Sequence, residues 1–328
     1  MKVLVTGGAG FLGNQLLDDL ISAGHEARSL DVKMPFEPLD AVDYRTGSIL
    51  EGSDLTAAMA GCDAVIHAAA ISDFWSADRS AFDRVNTLGT QEILNAARSE
   101  GIRVVHVSSY TTLIGRESRP DQVLTETDAQ HPGQLLGPYP KSKRQAELAV
   151  MSEASDGGDA LSVLPAALIG PRDHRPTQPG GLLSDLYSGT LPALMPSRLN
   201  LVDVRDVSEA IVAALEKGAA GGRYLLAGHD IELQCLAQKI HAMGGSPPPR
   251  RLVPKGVALA VARGEAMIAH LTGRAPLAPL TGVRLACRPV RFDTSLSESA
   301  LGFRRRSLEA TLQDTVDWRK FSDGKTKS

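Results

Sequence analysis

Tyr139 and Lys143 stand four residues apart in Tyr139-Pro140-Lys141-Ser142-Lys143, and the helix-forming stretch RQAELAVMSEA follows them. A spacing of four puts both side chains on one face of a helix, and Pro140 suits a first turn. Upstream, the apolar run Val104 to Val107 ends in Ser108, Ser109, Tyr110, Thr111 and Thr112. Hydroxyls at the carboxyl end of a parallel strand lie where open α/β sheets bind ligands. A hydroxyl, a phenol and an ammonium together suit hydride transfer to or from a carbonyl. The phenol must exchange a proton with the substrate oxygen, and an unperturbed tyrosine has a pKa near 10. A nearby ammonium and a nicotinamide cation favour the phenolate and lower that value, so Tyr139 can act as acid or base near neutrality. Lys143 can also hydrogen-bond the nicotinamide ribose. Tyrosine and lysine at this spacing recur by chance on solvated helix faces. The strand-end serines and the opening of the chain give the pair its specificity.

That opening is MKVLVTGGAGFLG. Lys2 to Val5 is a short apolar run with strand composition, and Gly7, Gly10 and Gly13 follow it directly. A helical period (Phe11, Leu12, Leu16, Leu17, Leu20) begins among the glycines. Strand, glycine turn and helix in this order bring free N–H groups and the positive end of the helix dipole to the turn, which suits a pyrophosphate. Asp31 ends a second strand about 20 residues past the turn, where an acidic side chain accepts from adenosine ribose hydroxyls and repels a 2′-phosphate. NAD is therefore the expected cofactor; Lys33, two residues on, leaves NADP open. Asp63 to Ala70, DAVIHAAA, reads as a buried strand. The small side chains of Ala68, Ala69 and Ala70 at its end let a cofactor lie against the backbone, while His67 inside the run reads as a structural histidine.

Composition excludes several other classes. A net charge of −3 with no long basic run speaks against a nucleic-acid surface. Hydrophobic content of 43% is ordinary for a globular chain, and no apolar stretch reaches the length of a membrane span. Cys62, Cys235 and Cys287 are widely spaced without a CxxC pair, so neither a disulfide framework nor a metal site is expected, and a cytoplasmic setting is the simplest.

Strand and helix signals alternate through the first half, which argues for a doubly wound parallel sheet of Rossmann type. Leu55 to Ala60 and Ala81 to Ser99 read as helices, and Arg116 to Pro138 as a long polar loop. Ala160 to Ile169 is a buried strand broken by Pro165. After it, Pro and Gly dominate 174–196, with a short helix around Leu182 to Leu186. Strand and helix return over Leu199 to Leu215, then a strand over Arg223 to Ala227 and a helix over Ile231 to Met243. Val257 to Leu271 is an apolar amphipathic helix, expected as a core or lid helix, with a lean toward lining for an apolar substrate. The resulting division is a dinucleotide-binding domain over 1–171, with 199–227 returning to it. A smaller substrate-binding part spans 172–198 and 228–320, and 321–328 form a polar tail.

The chain resembles the extended short-chain dehydrogenase/reductases, the NAD-dependent epimerase/dehydratase group. The resemblance rests on TGGAGFLG at 6–13, DAVIHAAA at 63–70, VNTLGT at 85–90, VVHVSS at 104–109, YPKSK at 139–143, IGPRD at 169–173 and LVDVRDV at 201–207. GPRDHRPTQPG and GRYLLAGHDIEL look most like the dihydroflavonol-reductase-like branch, and Asp31-Val32-Lys33 like the NAD-using 3β-hydroxysteroid dehydrogenases. The resemblance implies Tyr139 as acid/base, Lys143 as its partner and Ser109 as the hydroxyl that orients the carbonyl. It implies Asn86 near the cofactor or in a structural role, and Pro165 to Leu168 against the nicotinamide amide. It also implies a homodimer joined through the helices at 82–99 and 139–153.

Three positions depart from the pattern. Ser48-Ile49 stands where an aspartate is common before the apolar residue that faces adenine. The segment from Ser109 to Gly115 is one residue longer than usual, and counting back from Gly115 puts Tyr110 at the hydroxyl position. Leu164 replaces a frequent arginine. The expected activity is NAD(P)-dependent oxidoreduction of a hydroxyl or ketone on a small to medium organic substrate. One alternative is a nucleotide-sugar epimerase with internally recycled NAD, its phosphates met by Arg250, Arg251, Arg284, Arg288 or Arg291. The other is a non-catalytic dinucleotide sensor on the same fold.

Overall fold

The computed structural model describes residues 1–325. Seven parallel strands form the central sheet: β1 (Lys2–Thr6), β2 (Glu26–Asp31), β3 (Val42–Thr46), β4 (Ala64–His67), β5 (Arg103–Val107), β7 (Ala160–Pro165) and β10 (Arg223–Leu226), in the order β10-β7-β5-β4-β1-β2-β3. Helices cover both faces. On one side lie α1 (Phe11–Ser22), α7 (Val204–Lys217) and α11 (Ser295–Leu301). On the other lie α2 (Gly52–Met59), α4 (Gly89–Glu100) and α5 (Pro138–Ser155). A short α3 (Ser80–Phe82) and one wide π-type stretch, Asp83–Leu88, lead without a break into α4. Side chains alternate along each strand. Val3, Val5 and Ile66 join the core under α1 and α7, whereas Leu4 and Val65 pack with Leu55, Ile93 and Leu94.

Strand order reverses between β1 and β4. The chain runs outward from β1 through β2 to β3 on one side, and from β4 through β5 and β7 to β10 on the other. Open α/β sheets bind ligands in the crevice outside the carboxyl ends of the strands at such a point. The glycine turn leaves β1 there and the three alanines leave β4.

A second layer is built on the remaining elements. β8 (Ala167–Ile169), β9 (Arg198–Asp203) and β11 (His229–Glu232) form a separate three-stranded sheet, with β8 and β9 parallel and β9 and β11 antiparallel. α6 (Gln178–Ser188), α8 (Leu233–Ala242) and α12 (Leu308–Lys325) enclose its core, with Leu183, Leu236, Ile240, Leu312 and Val316 buried. The long loop contains β6 (Val123–Leu124), which pairs with β12 (Arg291–Phe292). α9 (Lys255–Thr272) and α10 (Leu280–Ala286) pack together beside it.

Several expectations change. The single strand over Ala160 to Ile169 is two strands in two sheets, because Pro165 has no N–H to continue the ladder. Of the returning segment 199–227, β9 belongs to the small sheet while α7 and β10 belong to the large one. Ile231 is strand, and the helix begins at Leu233. β3 was not foreseen, since VDYRT at a sheet edge carries alternating charge in place of an apolar run. The polar tail expected from 321 is helical to Lys325, and 326–328 lie outside the described residues. The largest correction concerns Val257 to Leu271. Its helix exists, but apart from half-buried Leu259 its large apolar side chains are exposed, and only Ala262 and Ala269 are buried.

Candidate active site

Ser109 follows β5 in an extended conformation and is held by the turn it begins. Its Oγ accepts from the Thr111 N–H at 3.2 Å and from Thr111 Oγ1 at 3.0 Å. Both of its lone pairs are thus engaged, which leaves its own O–H free to donate. Tyr139 lies in the first turn of α5, one residue after Pro138. Burial pushes its phenol above the ordinary value, and the facing Ser109 hydroxyl opposes this by favouring the phenolate. Tyr110 is a second buried phenol beside Tyr139, driven up by burial and by that neighbour. Its ring stands edge-on to Phe292 at 5.6 Å. Ser109 is thus the hydroxyl that faces the Tyr139 phenol, and Tyr110 is an aromatic wall.

Lys143 is buried one turn along α5 from Tyr139. Its Nζ lies 3.4 Å from His106 Nε2, and burial lowers its pKa to about 8 against the opposing charge of Glu147. An ammonium carries three donors, and those not used by His106 are available to ribose hydroxyls.

Two histidines support this corner. Thr90 Oγ1 donates to the Asn86 carbonyl at 2.7 Å, so it accepts from His67 Nε2 at 3.0 Å. Thr6 Oγ1 then donates to His67 Nδ1 at 2.8 Å. His67 is thereby fixed as a neutral ring with its proton on Nε2, and burial drops its pKa to about 3. Its structural reading agrees with these contacts. His106 is also neutral, because its Nε2 accepts from the lysine, and burial holds its pKa well below the usual value.

Asn86 is fully buried and acts as a clamp. Its Oδ1 accepts from the Ile71 N–H at 2.8 Å, and its Nδ2 donates to the Ile71 carbonyl and to Ser142 Oγ, both at 3.0 Å. Ser142 Oγ in turn donates to the Tyr139 carbonyl at 2.9 Å. The loop after β4 and the start of α5 are therefore tied through one amide.

The turn after β1 has the close packing that a dinucleotide needs. Gly7 has φ of +75°, and a Cβ there would lie 2.7 Å from the Ala69 nitrogen. At Gly13 a Cβ would lie 2.0 Å from the Gly7 carbonyl oxygen. The turn is therefore packed between α1 and Ala68-Ala69, while at Gly10 the only near atom is the Gly7 oxygen at 3.1 Å. No side chain caps the first turn of α1, leaving its N–H groups at Phe11, Leu12 and Gly13 open to an anion. Asp31 Oδ2 accepts from the Ala9 N–H at 3.0 Å and Oδ1 from the Lys33 N–H at 3.2 Å. Its carboxylate thus stands beside the turn with acceptor capacity left. Ser48 and Ile49 follow β3; the Ser48 N–H donates to Asp54 Oδ2, and Ile49 is buried. Ala70 precedes the Ile71 clamp. Pro165 ends β7, and Leu168 is half-buried in β8. These residues fit a dinucleotide lying across β1 and β4 with its nicotinamide end toward Tyr139.

Phe74 connects the phenol to a pocket. Its ring is 5.7 Å from that of Tyr139, and it lines a cavity with Tyr110, Ile114, Leu285, Val290 and Phe292. Arg198, Asn200 and Arg288 supply the polar side of that wall. Of the five arginines considered for phosphate, Arg288 alone lines the cavity, and Arg291 lies 3.5 Å from Asp121.

Sequence reasoning missed Glu147, which is fully buried. It accepts from Ser108 Oγ, from Thr112 Oγ1 at 2.7 Å, from Arg144 at 3.0 Å and from Arg223 at 2.8 Å. It binds the serine-bearing strand end to α5 and to β10. The available signal was its position, four residues past Lys143 on the same face.

Known proteins similar to this chain give its family. A family model described as "NAD dependent epimerase/dehydratase family" matches residues 3–227. A Synechocystis protein provisionally named dihydroflavonol 4-reductase is 33% identical over 323 residues, covering 96% of this chain and 93% of that one. The sterol demethylase protein B of Methylococcus capsulatus is 30% identical over 324 residues, 97% of this chain and 98% of the other. The crystal structure of gox2253 superposes with a TM-score of 0.83 at 27% identity, covering 98% of both chains. The chain belongs to the NAD-dependent epimerase/dehydratase family of extended short-chain dehydrogenase/reductases and is an NAD(P)-dependent oxidoreductase.

Proposed function

We propose that this oxidoreductase interconverts a ketone and a secondary alcohol on an apolar substrate, with Tyr139 as acid/base, Ser109 as the orienting hydroxyl and Lys143 on the cofactor side. The observation that carries the reading is the Tyr139 phenol facing the Ser109 hydroxyl beside an aromatic-walled pocket. The dinucleotide, when bound, supplies or accepts the hydride at the carbonyl carbon. In the reducing direction Tyr139 gives its proton to the carbonyl oxygen and is left as the phenolate, while the Ser109 O–H donates to that same oxygen. In the oxidising direction the same phenolate removes the hydroxyl proton. Asp31 holds the adenosine ribose and favours NAD.

The pocket wall (Phe74, Tyr110, Ile114, Leu285, Val290, Phe292) supports an apolar skeleton over a bare sugar. The sterol demethylase name of the Methylococcus relative points the same way. Exposed Leu88, Leu148 and Met151 on the stretch Asp83–Leu88 and on α5 support a homodimer through this face, and three free cysteines support a cytoplasmic setting. Tyr139→Phe tests the chemistry. Turnover of an apolar ketone panel is expected to fall at least a thousandfold, roughly the upper range for general acid–base catalysis, with NADH still bound. Undiminished turnover removes Tyr139 from the reaction. Protein that retains near-stoichiometric NAD through purification favours the epimerase reading; protein that exchanges NAD(H) freely favours the dehydrogenase.

A further inference from the structure

α9 is amphipathic in the wrong direction. Ala262 at 0% and Ala269 at 3% exposure face inward with half-buried Leu259, while Val257, Val261, Ile268 and Leu271 face outward at 52%, 53%, 61% and 83%. Those four are spaced by four, seven and three residues, so at about 100° per residue they form one stripe, and Met267 at 70% lies along its edge. Leu252 and Leu277, at 50% and 93%, extend the patch beyond both ends of the helix. A solvated helix has no reason to place its alanines inward and its larger apolar side chains outward. Contiguous patches of this kind mark surfaces that are covered in use.

The charge around the stripe identifies the cover. Residues 250–291 carry eight lysines and arginines against one carboxylate, Glu265, a net of +7 in a chain whose total is −3. Arg263 on α9 and Arg284, Arg288 and Arg116 beside it crowd one another without a carboxylate among them, and burial together with these neighbours lowers the Arg284 pKa. Among the described residues, Arg291 alone of the eight has a carboxylate partner, Asp121. A second copy placed here by a two-fold axis would set this basic field against itself. An anionic bilayer meets both features, apolar side chains entering the acyl boundary and guanidiniums meeting phosphates. α9 is not long and apolar enough to cross a membrane, so it lies in the interface plane. The position is apt, since α10 packs on α9 and contributes Gly282, Leu285 and Ala286 to the pocket wall.

We propose that the exposed face of α9 with its basic rim docks the enzyme on an anionic phospholipid surface, beside the mouth of the pocket. The inference stands independently of the catalytic assignment, because its readout is binding. The test is flotation of the full chain with phosphatidylcholine vesicles and with equal mixtures of phosphatidylcholine and phosphatidylglycerol, repeated at raised salt. Binding to the mixed vesicles is expected, weakened by salt. It should fall roughly tenfold or more in the double variant Ile268→Ser/Leu271→Ser, which removes two apolar anchors. It should fall about fivefold for each charge lost in Arg263→Gln and Arg274→Gln. These side chains are exposed, so the variants should keep the wild-type unfolding midpoint and turnover of a water-soluble ketone. Absence of binding to mixed vesicles overturns the proposal, as does equal binding to both vesicle types or binding that Ile268→Ser/Leu271→Ser leaves unchanged. A dimer that the same double variant dissociates, with no vesicle binding, would assign the face to a second copy instead.

Discussion

Replacing Glu147 by glutamine keeps the shape of a buried hub and removes its charge. Two guanidiniums then lose their counter-charge in a nearly dry site: Arg144, with its Nη1 at 3.0 Å, and Arg223, at 2.8 Å. Removing one partner from a buried ion pair costs about 3–5 kcal/mol, because a buried charge is left uncompensated. Arg144 keeps the Gln130 carbonyl at 3.1 Å and Arg223 keeps the Glu126 carbonyl, which places the cost near the lower end, at about 3 kcal/mol. With about 2.1 cal/mol/K of unfolding entropy per residue, 1 kcal/mol moves Tm by about 1.5 °C in a chain of 328 residues, so Tm should fall by roughly 4–5 °C. Calorimetry or dichroism at pH 7.5 measures this directly. Glu309→Gln, which breaks the exposed Lys239–Glu309 pair, serves as control and should leave Tm unmoved. A second readout separates charge from packing. Glu147 is the charge that holds the Lys143 pKa up against burial, so its removal should drive that pKa below about 8 and shift the alkaline limb of kcat/KM to lower pH. A Glu147→Gln enzyme that melts with wild type and keeps the wild-type pH profile would refute the reasoning.

The remaining expectations are simpler. His67 is neutral in the native protein, with its pKa about 3 against 6.5 in the unfolded chain, so stability is lost as pH falls below about 6.5. The loss through this residue is about 2 kcal/mol by about pH 5, and urea midpoints should show a smaller pH slope in His67→Gln. With the Lys143 pKa near 8, kcat/KM should decline above that pH if the ammonium is the working form, and a Lys143→Arg enzyme that stays active should lack the decline. Gly13→Ala drives a Cβ to 2.0 Å from the Gly7 oxygen, so NADH titrations should show affinity reduced by tenfold or more, about 1.4 kcal/mol. Asp31→Ser removes the carboxylate beside the turn and should raise the NADP/NAD preference; an unchanged ratio would take Asp31 out of ribose recognition.

Local chemistry made much of this protein legible in one dimension. Apolar runs before glycine or hydroxyl clusters identified β1, β4 and β5. Glycine spacing required a close turn, and the four-residue interval put Tyr139 and Lys143 on one helical face. Each of these signals resides in a few consecutive residues. Other features depend on which distant segments meet, and a short stretch of sequence gives the position of such a residue without its partners. Glu147 acquires its meaning from Arg223, on β10, and Lys143 meets His106 only because folding brings side chains of α5 and β5 together. Asn86 needed the Ile71 loop and Ser142 beside it to become a clamp. Pro165 marks the break within 160–169, while the sheet that 167–169 joins is decided by its pairing with β9. The periodicity of Val257 to Leu271 is that of any amphipathic helix. Period alone gives the angle of an apolar stripe on the helix, and only packing decides whether that stripe turns toward the core or away from it.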